Sequence, residues 1–368
     1  MSRTVVAEID LSALQRNLER VREISPNCPV AAVIKADGYG HGLTRVAQAL
    51  SQADAYAVAC IDEAQLLRNA GFTHPIILLE GFFDVSELEI IARQELTAVI
   101  HHEWQLCALE QAKLVAPIRA WFKVDSGMHR LGFSPEKSAV AWQRLSTCTN
   151  VAGPVIPMTH LANADDCNDQ TTLQQLARFD AVTAGVSADC SIANSAAILG
   201  WRQARRGWLR PGIMLYGVSP FVTGSGESCQ LQPVMTLRST LIAVNRCKRG
   251  DPVGYGGDWS CPEDMPVGVV AIGYGDGYPR HAEPGTPVLL NGKMVPLIGR
   301  VSMDMITVDL RSQPQAGIGD PVVLWGRGLP VETIAGQAGT IAYELLCGVS
   351  RPRVRYTDTQ EKSDGKIL

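Results

Sequence analysis

The first two thirds of this chain alternate short apolar segments with longer segments of amphipathic helical periodicity. The apolar segments have no polar face, which is typical of strands buried on both sides in a parallel sheet. About eight such β-then-α units fit into roughly 200 residues, which favours an α/β fold with a closed (β/α)8 barrel over an open doubly wound sheet. The predicted strands are Val30–Ile34, Ala55–Cys60, Pro75–Leu79, Leu96–Ile100, Ile118–Val124, Val155–His160, Ala188–Ile192 and Trp208–Leu215. The predicted helices are Leu43–Gln52, Asp62–Ala70, Val85–Gln94, Glu103–Lys113, Pro135–Ser146, Thr172–Ala184 and Ser195–Gly200.

Helical periodicity largely ends after residue 227, where strands separated by glycine, proline and charged turns take over. Thr286–Leu290 and Lys293–Leu297 flank the dipeptide Asn291-Gly292, which is typical of a two-residue hairpin turn. We therefore predict a barrel domain over residues 10–225 and a mainly β domain over residues 226–368. Residues 1–9 are expected to supply a strand, Val5–Ile9, that joins the second domain.

The composition excludes several classes of partner. With 46% hydrophobic residues, 19% charged residues and a net charge of −4, the chain gives no electrostatic reason to expect nucleic acid or an anionic membrane. No apolar run approaches the ~20 residues of a membrane span, and the N-terminal segment lacks the apolar run of a signal peptide. The 10 cysteines include no Cys-x-x-Cys pair, which favours reduced thiols over disulfides or a zinc cluster. We expect a cytoplasmic enzyme without a metal.

Lys35 stands directly after the apolar segment Val30–Ile34, at the point where a buried strand would leave the core. Desolvation at such a place lowers the pKa of a lysine, and the neutral amine is the form that makes Schiff bases with carbonyl compounds. The glycines at 38, 40 and 42 allow a sharp turn and a close approach of backbone to a ligand. A lone lysine at a strand end more often extends into solvent. A functional role for Lys35 therefore depends on the polar residues at the neighbouring strand ends.

Polar residues follow most of the other predicted strands. In (β/α)8 barrels the chemistry lies at the carboxyl ends of the strands, and phosphate sites favour the loops after strands seven and eight. Ser195 would open a short helix after the seventh strand, and Gly212 follows the eighth, so an anion is expected between them. A lysine and a phosphate site at one barrel mouth are what pyridoxal 5′-phosphate requires. The residues at this rim are Lys35, Lys123, Asp125, Arg130, His160, Ser191, Ser195, Arg210 and Gly212.

The segment Ala32-Val-Ile-Lys-Ala-Asp-Gly-Tyr-Gly-His-Gly42 closely resembles the cofactor-lysine signature of bacterial alanine racemases, which use pyridoxal 5′-phosphate. The resemblance covers essentially the whole chain, in shared order and spacing. Position 191 departs from it, because many members carry histidine where this chain has serine, and Gly275 replaces a usual alanine. The further matching segments are Lys123–Gly132, Thr159–Ala162, Asn194–Ala196, Trp208–Gly217, Val253–Gly256, Ile272–Arg280, Gly299–Asp304 and Ala342–Leu345.

The resemblance implies a two-base racemisation of alanine through a Schiff base (an aldimine) on Lys35. Lys35 would face the α-hydrogen of the D-enantiomer, and Tyr255 from the other subunit of a homodimer would face that of the L-enantiomer. A chain from Tyr255 through His160 to Arg210 would support the tyrosine, and Arg210 would keep the pyridine nitrogen of the cofactor unprotonated. The implied cofactor-binding residues are Lys35, Tyr39, His160, Asn194, Ser195, Arg210, Gly212, Ile213 and Tyr343. The implied substrate-binding residues are Arg130, Met303 and Asp304, with Tyr274 and a carbamylated Lys123 in support.

Several functions fit the pattern less well than alanine racemisation, which would supply D-alanine for peptidoglycan or serve alanine breakdown. A racemase of broader range or with serine preference stays open, because loops set the size of the substrate. A barrel decarboxylase would need a carboxylate in place of Arg210. A non-catalytic cofactor-binding protein on the same barrel would end before the ~140 residues that carry Tyr255.

Overall fold

The computed structural model describes residues 4–186 and 189–358. Six short parallel strands pair in chain order and form the first sheet. Almost all of their residues are buried, as expected for strands that face helices on one side and a filled barrel interior on the other. These strands are Ala31–Val33, Ala55–Val58, Ile76–Leu78, Thr97–Ile100, Arg119–Lys123 and Ile156–Met158.

Two extended segments close this sheet into the predicted barrel. Ser191 donates its N–H to the Pro157 carbonyl at 2.9 Å, and Ala31 donates its own to the Leu209 carbonyl at 2.8 Å. Between the two segments, the Arg210 N–H reaches the Ala193 carbonyl at 2.9 Å. The ring of eight segments is complete, and the (β/α)8 prediction is confirmed.

The last two barrel segments are less regular than the sequence predicts. Ala188, the first residue of the predicted strand Ala188–Ile192, lies outside the described residues, and Ser191 makes only isolated bridges. The predicted strand Trp208–Leu215 stops early, because Pro211 has no N–H to donate. Ile213–Tyr216 forms a 3₁₀ turn instead. This correction matters for the site, since the turn places Gly212 over the barrel mouth.

The seven predicted barrel helices agree with the structure to within about three residues at each end, whereas the first helix, Leu11–Ile24, was not predicted. Asp10 caps the first helix by accepting the N–H of Ala13 at 3.1 Å, and Asn194 caps a later one by accepting that of Ala197 at 3.0 Å. The short segment Lys35–Gly40 is a left-handed turn and belongs to the site. The right-handed helices are Leu11–Ile24, Leu43–Ala49, Ile61–Asn69, Glu87–Arg93, Glu103–Gln111, Pro135–Thr147, Thr171–Val182 and Ser195–Gly200.

The second sheet is mixed but mainly antiparallel, and the long strand Met235–Cys247 closes most of it into a barrel by pairing at both edges. The N-terminal strand Val6–Asp10 extends the sheet, antiparallel to Met235–Cys247 and parallel to Arg353–Thr357. In sheet order, the remaining strands are Met265–Val270, Ile306–Asp309, Lys293–Ile298, Pro287–Leu290 and Pro321–Trp325. A separate two-stranded ribbon pairs Pro252–Val253 with Trp259–Ser260.

The hairpin predicted around Asn291-Gly292 is present, with both turn residues at positive φ (48° and 75°). Positive φ at both positions matches the right-handed twist of the flanking strands. The helices Val331–Gln337 and Ala342–Cys347 follow the sheet, and the second of them returns to the barrel mouth. No helix within residues 4–186 and 189–358 is long and apolar enough to cross a membrane.

Candidate active site

A cavity of about 570 Å³ opens where the barrel strands end. It brings together the predicted site residues of the first domain and one from the second, Tyr343. A second cavity, of about 410 Å³, lies beside Gly217 and Arg327 and holds none of the predicted residues. The predicted residues that line the first cavity are Lys35, Tyr39, Lys123, Arg130, His160, Asn194, Ser195, Arg210, Gly212, Ile213 and Tyr343.

Lys35 leads into a left-handed turn that the sequence only partly indicates. Ala36, Asp37, Gly38 and Tyr39 all have φ between 52° and 61°, a conformation that costs about 1–2 kcal/mol for each residue with a side chain. Only one of the four is a glycine, so contacts must hold the turn. The Ala36 N–H donates to Glu63 Oε1 at 2.6 Å, and Asp37 Oδ1 accepts the Leu43 N–H at 2.7 Å.

The second domain packs directly on this turn. Gly40 has φ of 77°, and a Cβ atom there would lie 2.3 Å from the Leu346 carbonyl oxygen. Glycine is therefore required both by the backbone angle and by the approach of the helix Ala342–Cys347. Through this contact Tyr343 reaches the cavity, where its ring lies 6.1 Å from that of Tyr39. One wall of the cavity thus belongs to the second domain.

Ser195 and Gly212 form a small polar cradle. The Ser195 hydroxyl accepts the Gly212 N–H at 2.9 Å, and Asn194 caps the helix that Ser195 begins. A Cβ atom on Gly212 would lie 2.6 Å from the Tyr39 hydroxyl, so glycine is what admits that hydroxyl to the cradle. Hydroxyl groups and a helix start are donors suited to a phosphate. The cradle therefore fits the anionic end of a phosphorylated ligand.

Arg210 lines the cavity and is buried, with 3% of its surface exposed. Its guanidinium donates to the Thr159 carbonyl at 2.7 Å and to the Ser191 hydroxyl, which in turn donates to the Trp208 carbonyl. Burial lowers the pKa of Arg210 to about 10, so the group stays charged at neutral pH. Ser191, the position that departs from the family pattern, therefore has a defined role in holding Arg210.

His160 stands beside Arg210, with Nδ1 3.4 Å from a guanidinium nitrogen. Because the guanidinium can only donate, Nδ1 accepts and the ring proton belongs on Nε2. Burial and then the charges of Arg210, Lys123, Arg130 and Lys35 hold the pKa of His160 well below its usual value. His160 is therefore neutral at physiological pH: it can pass a proton between neighbours, but it does not stay protonated.

Lys123 ends the strand Arg119–Lys123 with 6% of its surface exposed. Burial, followed by the charges of Arg210 and Arg130, lowers its pKa to about 8. Asp125, the alternative partner that the sequence offers, is engaged elsewhere: its Oδ1 accepts three backbone N–H groups of the turn 127–129. A buried lysine with such a pKa is a nucleophilic amine near neutral pH.

Glu80 and Cys347 also line the cavity, although neither was predicted from the sequence. Glu80 stands two residues past the strand Ile76–Leu78, at the same edge as Lys35 and Lys123. Among the described residues that line this cavity, Glu80 is the one carboxylate, and it faces four cationic side chains. Position at a predicted strand end was the signal that could have found it, but a lone glutamate there usually faces solvent.

Unlike Tyr343, the other predicted site residues of the second domain do not line this cavity. Tyr255 is 70% exposed on a loop, and Met303 is 53% exposed. Asp304 forms an ion pair with Arg351 at 3.2 Å, and the Tyr274 N–H donates to the Ser302 carbonyl beside Met303. The described residues include no metal-binding group of three or more His, Cys, Asp or Glu. One chain therefore presents a lysine-bearing cavity and, apart from it, an exposed tyrosine.

Both parts of the chain match families of known proteins. Residues 9–220 match the family described as alanine racemase, N-terminal domain, and residues 234–357 match alanine racemase, C-terminal domain. The chain is 54% identical to the alanine racemase of Nitrosococcus oceani, over 94% of this chain and 96% of that one. It is 52% identical to that of Halorhodospira halophila over the full length of both.

Solved structures agree with these matches. The biosynthetic alanine racemase from Pseudomonas aeruginosa superimposes with a TM-score of 0.95 and 42% identity, covering 97% of this chain and 100% of that one. The Bacillus anthracis alanine racemase with bound L-Ala-P superimposes with a TM-score of 0.85 and 27% identity, covering 97% of this chain and 96% of that one.

Proposed function

This chain belongs to the alanine racemase family and interconverts L- and D-alanine, and we propose that it does so with pyridoxal 5′-phosphate on Lys35. The observation that carries the proposal is the meeting of Lys35, the Ser195–Gly212 cradle and Arg210 in one cavity. Four cations and one carboxylate line that cavity, a balance that suits a phosphorylated cofactor and a substrate carboxylate. Pyridoxal phosphate, when bound, withdraws electrons from the substrate α-carbon and so makes its proton acidic.

Arg210 and His160 would set the reaction type. A guanidinium with fixed charge, held by Thr159 and Ser191, donates but cannot accept, so it would keep a facing pyridine nitrogen unprotonated. Weaker electron withdrawal favours prompt return of the proton over side reactions. A decarboxylase of this fold would need the opposite arrangement, with a carboxylate beside that nitrogen. The buried arginine therefore favours racemisation.

A second base must come from outside the cavity of the same chain. Lys35 serves one face of the α-carbon, and a single base would return the proton to that same face. We propose that Tyr255 of a second copy serves the other face, in a homodimer with two composite sites. Four residues of the second domain do not line the cavity of their own chain, and we propose that they enter the partner's cavity together: Tyr255, Tyr274, Met303 and Asp304.

The remaining assignments rest on chemistry and on the family. Arg130 would bind the substrate carboxylate, and Tyr39, Asn194, Ile213 and Tyr343 would contact the cofactor with the residues named above. The 10 free cysteines suit a cytoplasmic enzyme that supplies D-alanine for peptidoglycan or serves alanine breakdown. We keep the proposed division into residues 10–225 and 226–368, with strand Val6–Asp10 in the second sheet.

Reduction with borohydride tests the assignment of Lys35. The purified enzyme should show the visible absorbance of bound pyridoxal phosphate, and borohydride should fix the cofactor to the peptide that contains Lys35. Lys123 is the internal control, because it lines the same cavity. Label on Lys123, or on any lysine other than Lys35, contradicts the proposal.

Chiral analysis against a panel of amino acids tests the range of substrates. We expect alanine to be racemised fastest, since both domains of the chain match alanine racemases. A higher kcat/KM for serine than for alanine would instead favour the broader racemase that the sequence leaves open.

A further inference from the structure

His41 is fully buried behind the left-handed turn and takes no part in the mechanism proposed above. Its Nδ1 lies 2.8 Å from the Tyr39 carbonyl oxygen and 3.1 Å from that of Gly38. Both neighbours can only accept, so Nδ1 carries the ring proton and donates it to the turn. Nε2 is buried and has no hydrogen-bond partner within the described parts of the chain. The ring is therefore neutral and fixed in one tautomer.

The two carbonyls that His41 binds belong to residues in left-handed conformations. Gly38 and Tyr39 have φ of 61° and 54°, and consecutive left-handed residues of this kind rarely occur without outside support. Elsewhere in the turn the support comes from Glu63 and Asp37, which bind backbone N–H groups. His41 is the side chain that binds its carbonyl groups. Together these contacts satisfy both ends of the turn.

The imidazole also continues an aromatic stack that ends in the cavity. The His41 and Tyr216 rings have centroids 4.8 Å apart, and Tyr216 stacks on Tyr39 at 4.6 Å. The Tyr216 hydroxyl donates to the Val33 carbonyl, two residues before Lys35. The stack therefore links His41 both to the strand that carries the lysine and to the tyrosine at the phosphate cradle.

We propose that His41 is a positioning residue, whose Nδ1–H fixes the left-handed turn and thereby places the Tyr39 hydroxyl and Lys35 for the cofactor. This proposal rests on the proposed role of the cavity as a pyridoxal phosphate site. It predicts that the hydrogen bond from position 41 matters more than the ring that provides it. Asparagine can supply a comparable N–H at that position, whereas leucine of similar size cannot.

The test compares His41→Asn with His41→Leu in cofactor-free protein titrated with pyridoxal phosphate. Both variants lose the stack on Tyr216, so both should lose similar thermal stability. Loss of the hydrogen bond should weaken cofactor binding about tenfold in His41→Leu, and binding should stay within about threefold of wild type in His41→Asn. His74→Asn is the matched control, because His74 makes a similar ring contact, 4.6 Å from Tyr56, and does not line the cavity.

Amide hydrogen exchange of the cofactor-free proteins gives a second reading, independent of the loaded enzyme. Exchange of residues 36–42 should be faster in His41→Leu and unchanged in His41→Asn. Equal cofactor affinity and equal exchange in the two variants would overturn the proposal. If His41→Leu does not fold, a folded His41→Asn that binds tenfold more weakly than wild type overturns it as well. A wild-type protein that binds no pyridoxal phosphate would instead refute the proposed function, and the exchange comparison would still decide the role of His41.

Discussion

Removing dissolved carbon dioxide should lower the activity of this enzyme, because we expect Lys123 to carry a carbamate on Nζ. Lys123 shares the cavity with Arg130 and Arg210, and each ammonium–guanidinium pair there is repulsive. Carbamylation changes the charge of Lys123 from +1 to −1, so its repulsion from Arg130 becomes a charge-assisted pair. Arg130 would then be held where it can meet the substrate carboxylate.

The lowered pKa of Lys123 determines how much of the lysine is in the form that can react with carbon dioxide. Only the neutral amine attacks carbon dioxide. With a pKa of about 8, roughly a quarter of Lys123 is neutral at pH 7.5, against about one in a thousand for an ordinary lysine. The reactive fraction is thus more than a hundredfold greater at Lys123 than at a solvated lysine. If the carbamate holds Arg130 by one charge-assisted hydrogen bond, its loss should lower kcat/KM for alanine about tenfold or more.

Carbon-13 NMR in labelled bicarbonate is the direct assay. A carbamate resonance should appear at pH 7.5, disappear in Lys123→Arg, and persist in Lys248→Arg. Lys248 is the matched control, because it is exposed and its ion pair with Asp264 raises its pKa. A spectrum that Lys123→Arg leaves unchanged would refute the reasoning, as would full activity in rigorously degassed buffer.

Three further outcomes follow from the structure. In Tyr255→Phe, α-hydrogen exchange in deuterated buffer should fall much further from L-alanine than from D-alanine, and equal losses would count against separate faces. In Gly212→Ala the new methyl group must displace the Tyr39 hydroxyl, so titration should show cofactor affinity reduced at least tenfold, and unchanged affinity would contradict the cradle. Burial lowers the pKa of His41 from 6.5 to about 4, so the unfolded chain alone takes up the proton as pH falls through that window. Denaturant unfolding should therefore lose up to about 3 kcal/mol of stability between pH 6.5 and 4 through this residue, and a His41→Asn protein with the same pH dependence as wild type would refute it.

Strands of the first domain were predictable because each is buried on both faces and therefore reads as an unbroken apolar run. The last barrel segment was predicted too long, since an apolar pattern over Trp208–Leu215 does not reveal that Pro211 ends the ladder and Ile213–Tyr216 coils into a 3₁₀ turn. An apolar pattern indicates which residues are buried, and a strand and a 3₁₀ turn can bury the same residues. The backbone N–H donor, which Pro211 lacks, was the better signal here.

Residues at strand ends were predictable as a set, but their contacts were not. The turn after Lys35 places Ala36, Asp37 and Tyr39 at positive φ. In a sequence, glycine is the residue that most clearly indicates this conformation. Its support comes partly from Glu63, 27 positions from Ala36, and no local pattern marks such a partner. For the same reason, the sequence placed Ser191 at the barrel rim, where many relatives carry histidine, but did not indicate that its hydroxyl binds Arg210.

The central claim is that Lys35 of one chain and Tyr255 of another complete one site. The most direct measurement mixes Lys35→Ala with Tyr255→Phe, each inactive alone, under conditions where native mass spectrometry verifies subunit exchange. In a two-fold dimer with composite sites, half of the dimers are mixed and each has one intact site, so equal amounts should recover about a quarter of wild-type activity. A fully exchanged mixture that stays inactive would contradict the account.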